Sequence, residues 1–309
     1  MSNYGLIDLG SNSIRLVIYE VDDDGPASGQ TPPFRSLIND KVMAGLAAYV
    51  SDGVFSQAGI KRASNVLASH ARHAEYFQCE KLEVFATAAL RNSVNSRQAV
   101  AAIEEQTGLS ITLLSEQEEA HLGFVGTSCE REIAEGTLID IGGGSTELTR
   151  IEGGRDYDPV SLAQGSLSSF ANHVEGVMPR EDEVEAIAKD FRRRFRKLKC
   201  EDAYDCEVLY GIGGSVRAAA KMYAQMTGAP ARPKTLSRDQ VQEIVDWCLD
   251  DPDDFAHTAL KASAERVHTV VPGCTILLVL FDELGAERLE VGKRGVREGY
   301  LVERMLQER

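Results

Sequence analysis

Paired cysteines are missing from this sequence: six cysteines are scattered along 309 residues with no Cys-x-x-Cys and no regular spacing. That argues against a zinc site or a disulfide framework and suits a reducing compartment, so a cytoplasmic location is expected. Long apolar runs are missing too. The longest, VVPGCTILLVLF at 270–281, is broken by Pro272 and Gly273 and reads as a buried helix, not a membrane span. The opening MSNYGLIDLG has no basic segment followed by an apolar one, so no export signal is expected. Positive charge is scarce. A net charge of −15 argues against broad binding to nucleic acid or an anionic membrane. One stretch runs against that balance, FRRRFRKLK at 191–199, with six basic residues in nine. There is no Walker loop, G-x-x-x-x-G-K-[ST], and no dinucleotide fingerprint.

What the chain does contain is a repeat. LIDLGSNSIRL at 6–16 and LIDIGGGSTEL at 138–148 match at Leu, Ile, Asp, Gly, Ser and Leu. Each copy reads as a strand, a tight turn of small residues and a returning strand. A third strand is expected after each, in PFRSLINDKVMA and RDYDPVSLAQ, and helices and strands then alternate. The fold class is therefore α/β, with two similar domains facing each other across a cleft. Their expected spans are 1–125, with a last helix at 296–309 packing back on it, and 126–295. A short hinge is expected near 123–136.

The turns carry the chemistry. Small residues leave backbone N–H groups uncovered, and successive N–H groups make a concavity for an anion, phosphate above all. Gly10, Ser11, Asn12 and Ser13 form the first such turn, and Gly142, Gly143, Gly144 and Ser145 the second. Asp8 and Asp140 precede them and Glu147 follows the second, so these carboxylates are candidate ligands for Mg²⁺. A third turn, YGIGGSVRA at 210–218, places Gly213, Gly214 and Ser215 between a strand and a helix, whose N-terminus favours an anion. Each turn alone is equally an ordinary hairpin or a close-packed junction. The repetition favours phosphate.

Taken in order, IDLGSNSIRLVI, ATAALRNS, SEQEEAHLGF, LIDIGGGSTEL, GIGGS and VPGCTILLVLFDELG followed by GVREGYL span the chain. Together they resemble the exopolyphosphatase/guanosine pentaphosphate phosphatase family, a branch of the superfamily of actin, sugar kinases and Hsp70. The resemblance implies two actin-like, ribonuclease H-like domains in the short form without further C-terminal helical domains. It also implies Mg²⁺-dependent release of terminal phosphate from inorganic polyphosphate or of the 5′ phosphate from guanosine pentaphosphate, and makes a homodimer plausible. A kinase of the same superfamily and a non-enzymatic polyphosphate or nucleotide sensor are the rival readings.

Three glutamates open the SEQEEAHL helix. Ser115 with Glu118 three residues on is a capping-box pattern, which would tie Glu118 to its own helix and leave Glu119 freer. All three would also complement the helix dipole. The resemblance assigns the catalytic base to Glu119, directly before the alanine, and an oxygen-holding role to Arg91 in ATAALRNS.

In FRRRFRKLK, Phe191, Phe195 and Leu198 share a helix face, and Arg192, Arg196 and Lys199 share another. A solvated helix balancing REDEVE upstream is one reading, and a track for a long polyanion the other. The histidines at 70, 73, 121, 173, 257 and 268 show no paired metal spacing and read as structural or exposed. The 40–55 stretch and GSLSSF at 165–170 depart from the family pattern, which puts substrate preference in question.

Overall fold

The structure, a computed structural model, describes residues 1–22, 33–198 and 201–307, with the backbone alone at 201 and 202. The chain divides into two compact units: Met1–Glu119 with the segment beginning at Tyr300, and Ala120–Gly299.

The first unit opens with β1 (Ser2–Leu9), β2 (Ser13–Val21) and β3 (Phe34–Met43), followed by the small hairpin β4 (Val50–Ser51) and β5 (Val54–Phe55). Helix α1 (Gln57–Tyr76), β6 (Lys81–Ala86), α2 (Ala88–Arg91), α3 (Ser96–Thr107) and β7 (Ile111–Leu113) come next. Its sheet runs β3-β2-β1-β6-β7, the first three antiparallel and β1, β6 and β7 parallel. That is the ribonuclease H-like, actin-type order. The central strand β1 is apolar because both of its faces are covered, with Leu6, Ile7 and Leu9 fully buried. The edge strand β3 is mostly solvated, with none of its residues fully buried.

Helix α1 starts where Ser56 Oγ accepts from Gly59 N–H at 3.2 Å. It buries Ile60, Ala63, Leu67, His70 and Ala74 on one face. Helix α3 starts after Asn95 and stops at Gly108, whose φ of 71° ends it. Both helices match the periodicity in the sequence. Helix α4 (Glu116–Ser128) follows and runs through the division between the units.

The second unit repeats the plan. It contains β8 (Gly136–Ile141), β9 (Thr146–Glu152), β10 (Arg155–Leu162), α5 (Ser166–His173), α6 (Glu181–Phe195), β11 (Val208–Ile212) and α7 (Gly213–Thr227). Next come β12 (Thr235–Leu236), α8 (Arg238–Asp250), α9 (Pro252–Ser263), α10 (Val270–Leu284), β13 (Arg288–Val291) and α11 (Val296–Tyr300). The sheet order is β10-β9-β8-β11-β13-β12, with β12 added antiparallel at the edge. Helix α10 is apolar all round because it is the core: Val271, Ile276 and Leu280 are fully buried. No single described helix is long and apolar enough to cross a membrane.

Two expectations are corrected. The last helix, expected over 296–309, is α-helical only from Val296 to Tyr300. It gives way at Leu301 to a π-helical turn ending at Met305, where Tyr300 stacks on Phe85 at 5.1 Å and donates to Glu83 at 2.6 Å. The basic stretch balances acids other than those of REDEVE. Arg192 and Arg196 both hold Glu283 of α10, at 2.7 and 3.0 Å, while Arg193 and Arg194 hold Asp190 one turn back. Helix α6 ends at Phe195, so Arg196 lies just past the helix that was expected to carry it. Lys199 lies outside the described residues. These pairings favour the solvated, intramolecularly neutralised reading over the polyanion track.

Candidate active site

The two repeated turns close in the same way. Gly10 N–H donates to Ser13 C=O at 3.1 Å, and Gly142 N–H to Ser145 C=O at 2.9 Å. The ladder registers correspond as well, with Leu9 opposite Ile14 and Ile141 opposite Thr146. The carbonyls are tied down behind each turn. Ser11 C=O accepts from Ala47 N–H, and Asn12 C=O from Ala44 and Gly45 N–H. In the second copy the first amides of α5 do this work: Ser166 N–H bonds Gly142 C=O, and Leu167 and Ser168 N–H bond Gly143 C=O. The GSLSSF segment that departs from the family pattern is thus the brace of the second turn. The N–H groups of Ser11, Asn12, Gly143 and Gly144 have no acceptor among the described residues. Tied carbonyls and unengaged amides are the makings of an anion nest.

The copies differ at one telling position. Opposite Asp8 stands Arg15, whereas opposite Asp140 stands Glu147. Directly opposed residues on antiparallel strands share a face, so only the second copy sets two carboxylates side by side. Ser161 Oγ donates to Glu147 Oε1 at 2.9 Å, which fixes that side chain. Oxygen donors of this kind suit Mg²⁺, which binds through one or two carboxylates and keeps its waters. Asp140 and Glu147 therefore fit that ion. Asp8, facing a cation, fits it less well.

The third turn is built against Asp140. Strand β11 lies beside β8 with Ile212 level with Asp140, and α7 starts at the next residue. Gly213 has a φ of +82°, and a Cβ there would sit 2.0 Å from Asp140 Oδ1. Both the dihedral and the space demand glycine. We expect Gly213→Ala to destabilise the fold by about 1 kcal/mol or more through backbone strain and to displace the Asp140 carboxylate. Thermal melts and hydrolysis assays on the same preparation check this, and an unaffected rate would show that the carboxylate position is unimportant.

Ser215 donates through Oγ to Ser166 Oγ at 3.1 Å, so its hydroxyl is engaged in joining the turns. Its contribution to an anion is then a backbone one, at the N-terminus of a fifteen-residue helix.

Arg266 was not singled out in the sequence. A Cβ on Gly214 would fall 1.8 Å from its Nη2, so the guanidinium lies directly on the third turn. Burial lowers its pKa from the ordinary value, against the opposing pull of Glu265 and Asp140. Nothing in SAERVHTV announces this. A basic residue in a short loop becomes informative only when the fold brings it to a glycine turn.

In the first unit, Arg91 and Glu119 meet. Arg91 ends α2, and Glu119 lies in the first turn of α4, bonded from Arg91 Nη1 to Glu119 Oε2 at 2.6 Å. Both side chains are mostly covered, at 12% and 17% exposure. Arg91 Nη1 also reaches Leu114 C=O at 3.2 Å and Nε reaches Asn92 Oδ1 at 3.3 Å. Its Nη2 is buried and has no hydrogen-bond acceptor among the described residues. Glu118 is used as the capping box predicts. It accepts from Ser115 N–H at 3.0 Å while Ser115 Oγ accepts from Glu118 N–H at 3.2 Å. Those bonds to Ser115 lower the Glu118 pKa, with a smaller contribution from Arg304.

Residues 18–308 match the Ppx/GppA phosphatase family. The chain belongs to that family. A family member from Aquifex aeolicus is 22% identical, with a TM-score of 0.79 over 99% of this chain and 98% of that one. An exopolyphosphatase from Cytophaga hutchinsonii is 18% identical, with a TM-score of 0.83 over 97% and 96%. At such identities the likeness speaks for the fold. Family membership makes the protein a phosphatase.

Proposed function

We propose that this Ppx/GppA phosphatase is an exopolyphosphatase that removes terminal orthophosphate from inorganic polyphosphate by attack of water. The observation that carries the reading is the Arg91–Glu119 pair, with a buried Arg91 Nη2 that makes no hydrogen bond and lies 3.9 Å from Glu116 Oε1. An arginine nitrogen with no hydrogen bond of its own is suited to a non-bridging phosphate oxygen. A carboxylate accepts at two oxygens with about four lone-pair positions, so its bond to Arg91 does not exhaust it. Glu119 then takes the proton from the attacking water.

In each unit the amides of the glycine turns are suited to orient and neutralise phosphate oxygens, and in the second unit Arg266 adds a fixed cation at the third turn. Asp140 and Glu147 would hold Mg²⁺, which when bound would supply charge neutralisation on the transferring phosphoryl group. Phosphoryl transfer demands little else of a protein, because positioning and electrostatics provide most of the acceleration.

Phosphate release from short polyphosphate, long polyphosphate, guanosine pentaphosphate and ATP, assayed side by side with Mg²⁺, tests the proposal. We expect polyphosphate to give the highest kcat/KM. A preference for guanosine pentaphosphate would make the enzyme a 5′-phosphohydrolase of that nucleotide, and tight binding without turnover would make it a sensor. Asp140→Asn is expected to lower the rate roughly 100-fold, the scale of one electrostatic stabiliser, with part of the loss recovered at high Mg²⁺. An unchanged Mg²⁺ dependence would remove Asp140 from metal binding.

A further inference from the structure

His70 and His73 were read in the sequence as structural or exposed, without paired metal spacing. They stand one turn apart on α1, and with Asp40 of β3 they converge so that one ligand atom from each lies within 4.8 Å of the others. His73 Nδ1 is 3.1 Å from Asp40 Oδ2, and His70 Nδ1 is 3.5 Å from the same oxygen. His70 is the unusual member. It is 1% exposed, and neither ring nitrogen makes a well-formed hydrogen bond among the described residues. A buried polar group left in that state is costly and calls for an explanation.

We propose that Asp40, His70 and His73 form a binding site for a transition-metal ion of the zinc class. Metal–nitrogen bonds of about 2.0–2.1 Å around a tetrahedral ion put neighbouring donors about 3.4 Å apart. The two distances to Asp40 bracket that edge. Three protein ligands leave a fourth position for water, and His73 and Asp40 are 50% and 35% exposed, which gives an ion a way in. Two imidazoles with one carboxylate select Zn²⁺, Co²⁺ or Ni²⁺ over Mg²⁺, so this site is chemically unlike the all-oxygen pair Asp140 and Glu147. Burial lowers the His70 pKa, opposed by Asp40 and the Ile14 backbone, and so favours the neutral imidazole that ligates a metal.

The location gives the ion a task. Strand β3 is an edge strand with Asp40 level with Leu16, and a metal there clips it to α1. The chain just beyond β3, at Ala44 to Ala47, is what ties down the carbonyls of the first glycine turn. A metal clip would therefore stiffen the brace of that turn without touching it.

Titration of the full-length, metal-stripped protein with Co²⁺ tests the site. Wild type is expected to develop visible ligand-field absorption saturating at one ion per chain, displaced by Zn²⁺ and indifferent to excess Mg²⁺. His73→Ala and Asp40→Asn, both at partly exposed positions, should keep the wild-type circular dichroism and weaken Co²⁺ binding roughly 100-fold or more, beyond the loss typical of a residue that only supports a ligand. No uptake by wild type would overturn the proposal, as would equal uptake by wild type and both variants, which would place the ion on other residues.

Discussion

Replacing Glu119 by glutamine is expected to lower polyphosphate hydrolysis by about 10²- to 10⁴-fold, the range that a positioned general base contributes, while substrate still binds. The amide keeps a carbonyl oxygen able to accept from Arg91 Nη1, so the local fold should persist. What is lost is a group basic enough to take a proton from water. Glu118→Gln is the informative control. Glu118 is committed to the Ser115 cap and to Arg304, so that change should touch stability by about 1 kcal/mol and leave turnover nearly intact. Single-turnover kinetics with binding measured separately distinguish the two variants. Near-normal turnover in the Glu119 variant would exclude it as the base. Equal losses in both would point instead to general weakening of the helix start.

Much of the architecture was legible because its signals were local and repeated. The doubled strand–turn–strand and the capping box at Ser115 each follow from a few adjacent residues, and the fold leaves them unchanged. The misses are of another kind. Helix α9 was not anticipated because PDDFAHTALKAS has few large apolar residues, although Asp251 accepts from Asp254 N–H to start it. The two-residue strand β12 exists only by pairing with β13. Arg266, the partners of the basic stretch and the convergence of Asp40 on two helix histidines all depend on residues distant in sequence. A His at i and another at i+3 look like one buried and one solvated residue until a strand supplies the third member.

Chemistry is also not the only reason for a glycine in these motifs. The SEQEEAHLGF stretch, which ends in α4 two residues before Gly126, and the GVREGYL stretch containing α11 were read as part of a family pattern. Within the second unit they form a crossing of two backbones. A Cβ on Gly126 would lie 1.9 Å from Gly295 C=O, and one on Gly299 would lie 1.9 Å from Leu122 C=O. Each obstacle is main chain, so no side chain can swing aside to relieve it. Gly126→Ala and Gly299→Ala are therefore expected to cost about 3 kcal/mol each, at the upper end for overpacking. For a unit of this size that lowers Tm by roughly 6–12 °C. Because the two glycines serve one crossing, the double variant should be less destabilised than the sum of the singles, once the helices have already been forced apart. Additive losses would mean that each glycine acts alone, and unchanged melting in either single variant would mean that the helices do not approach so closely in solution.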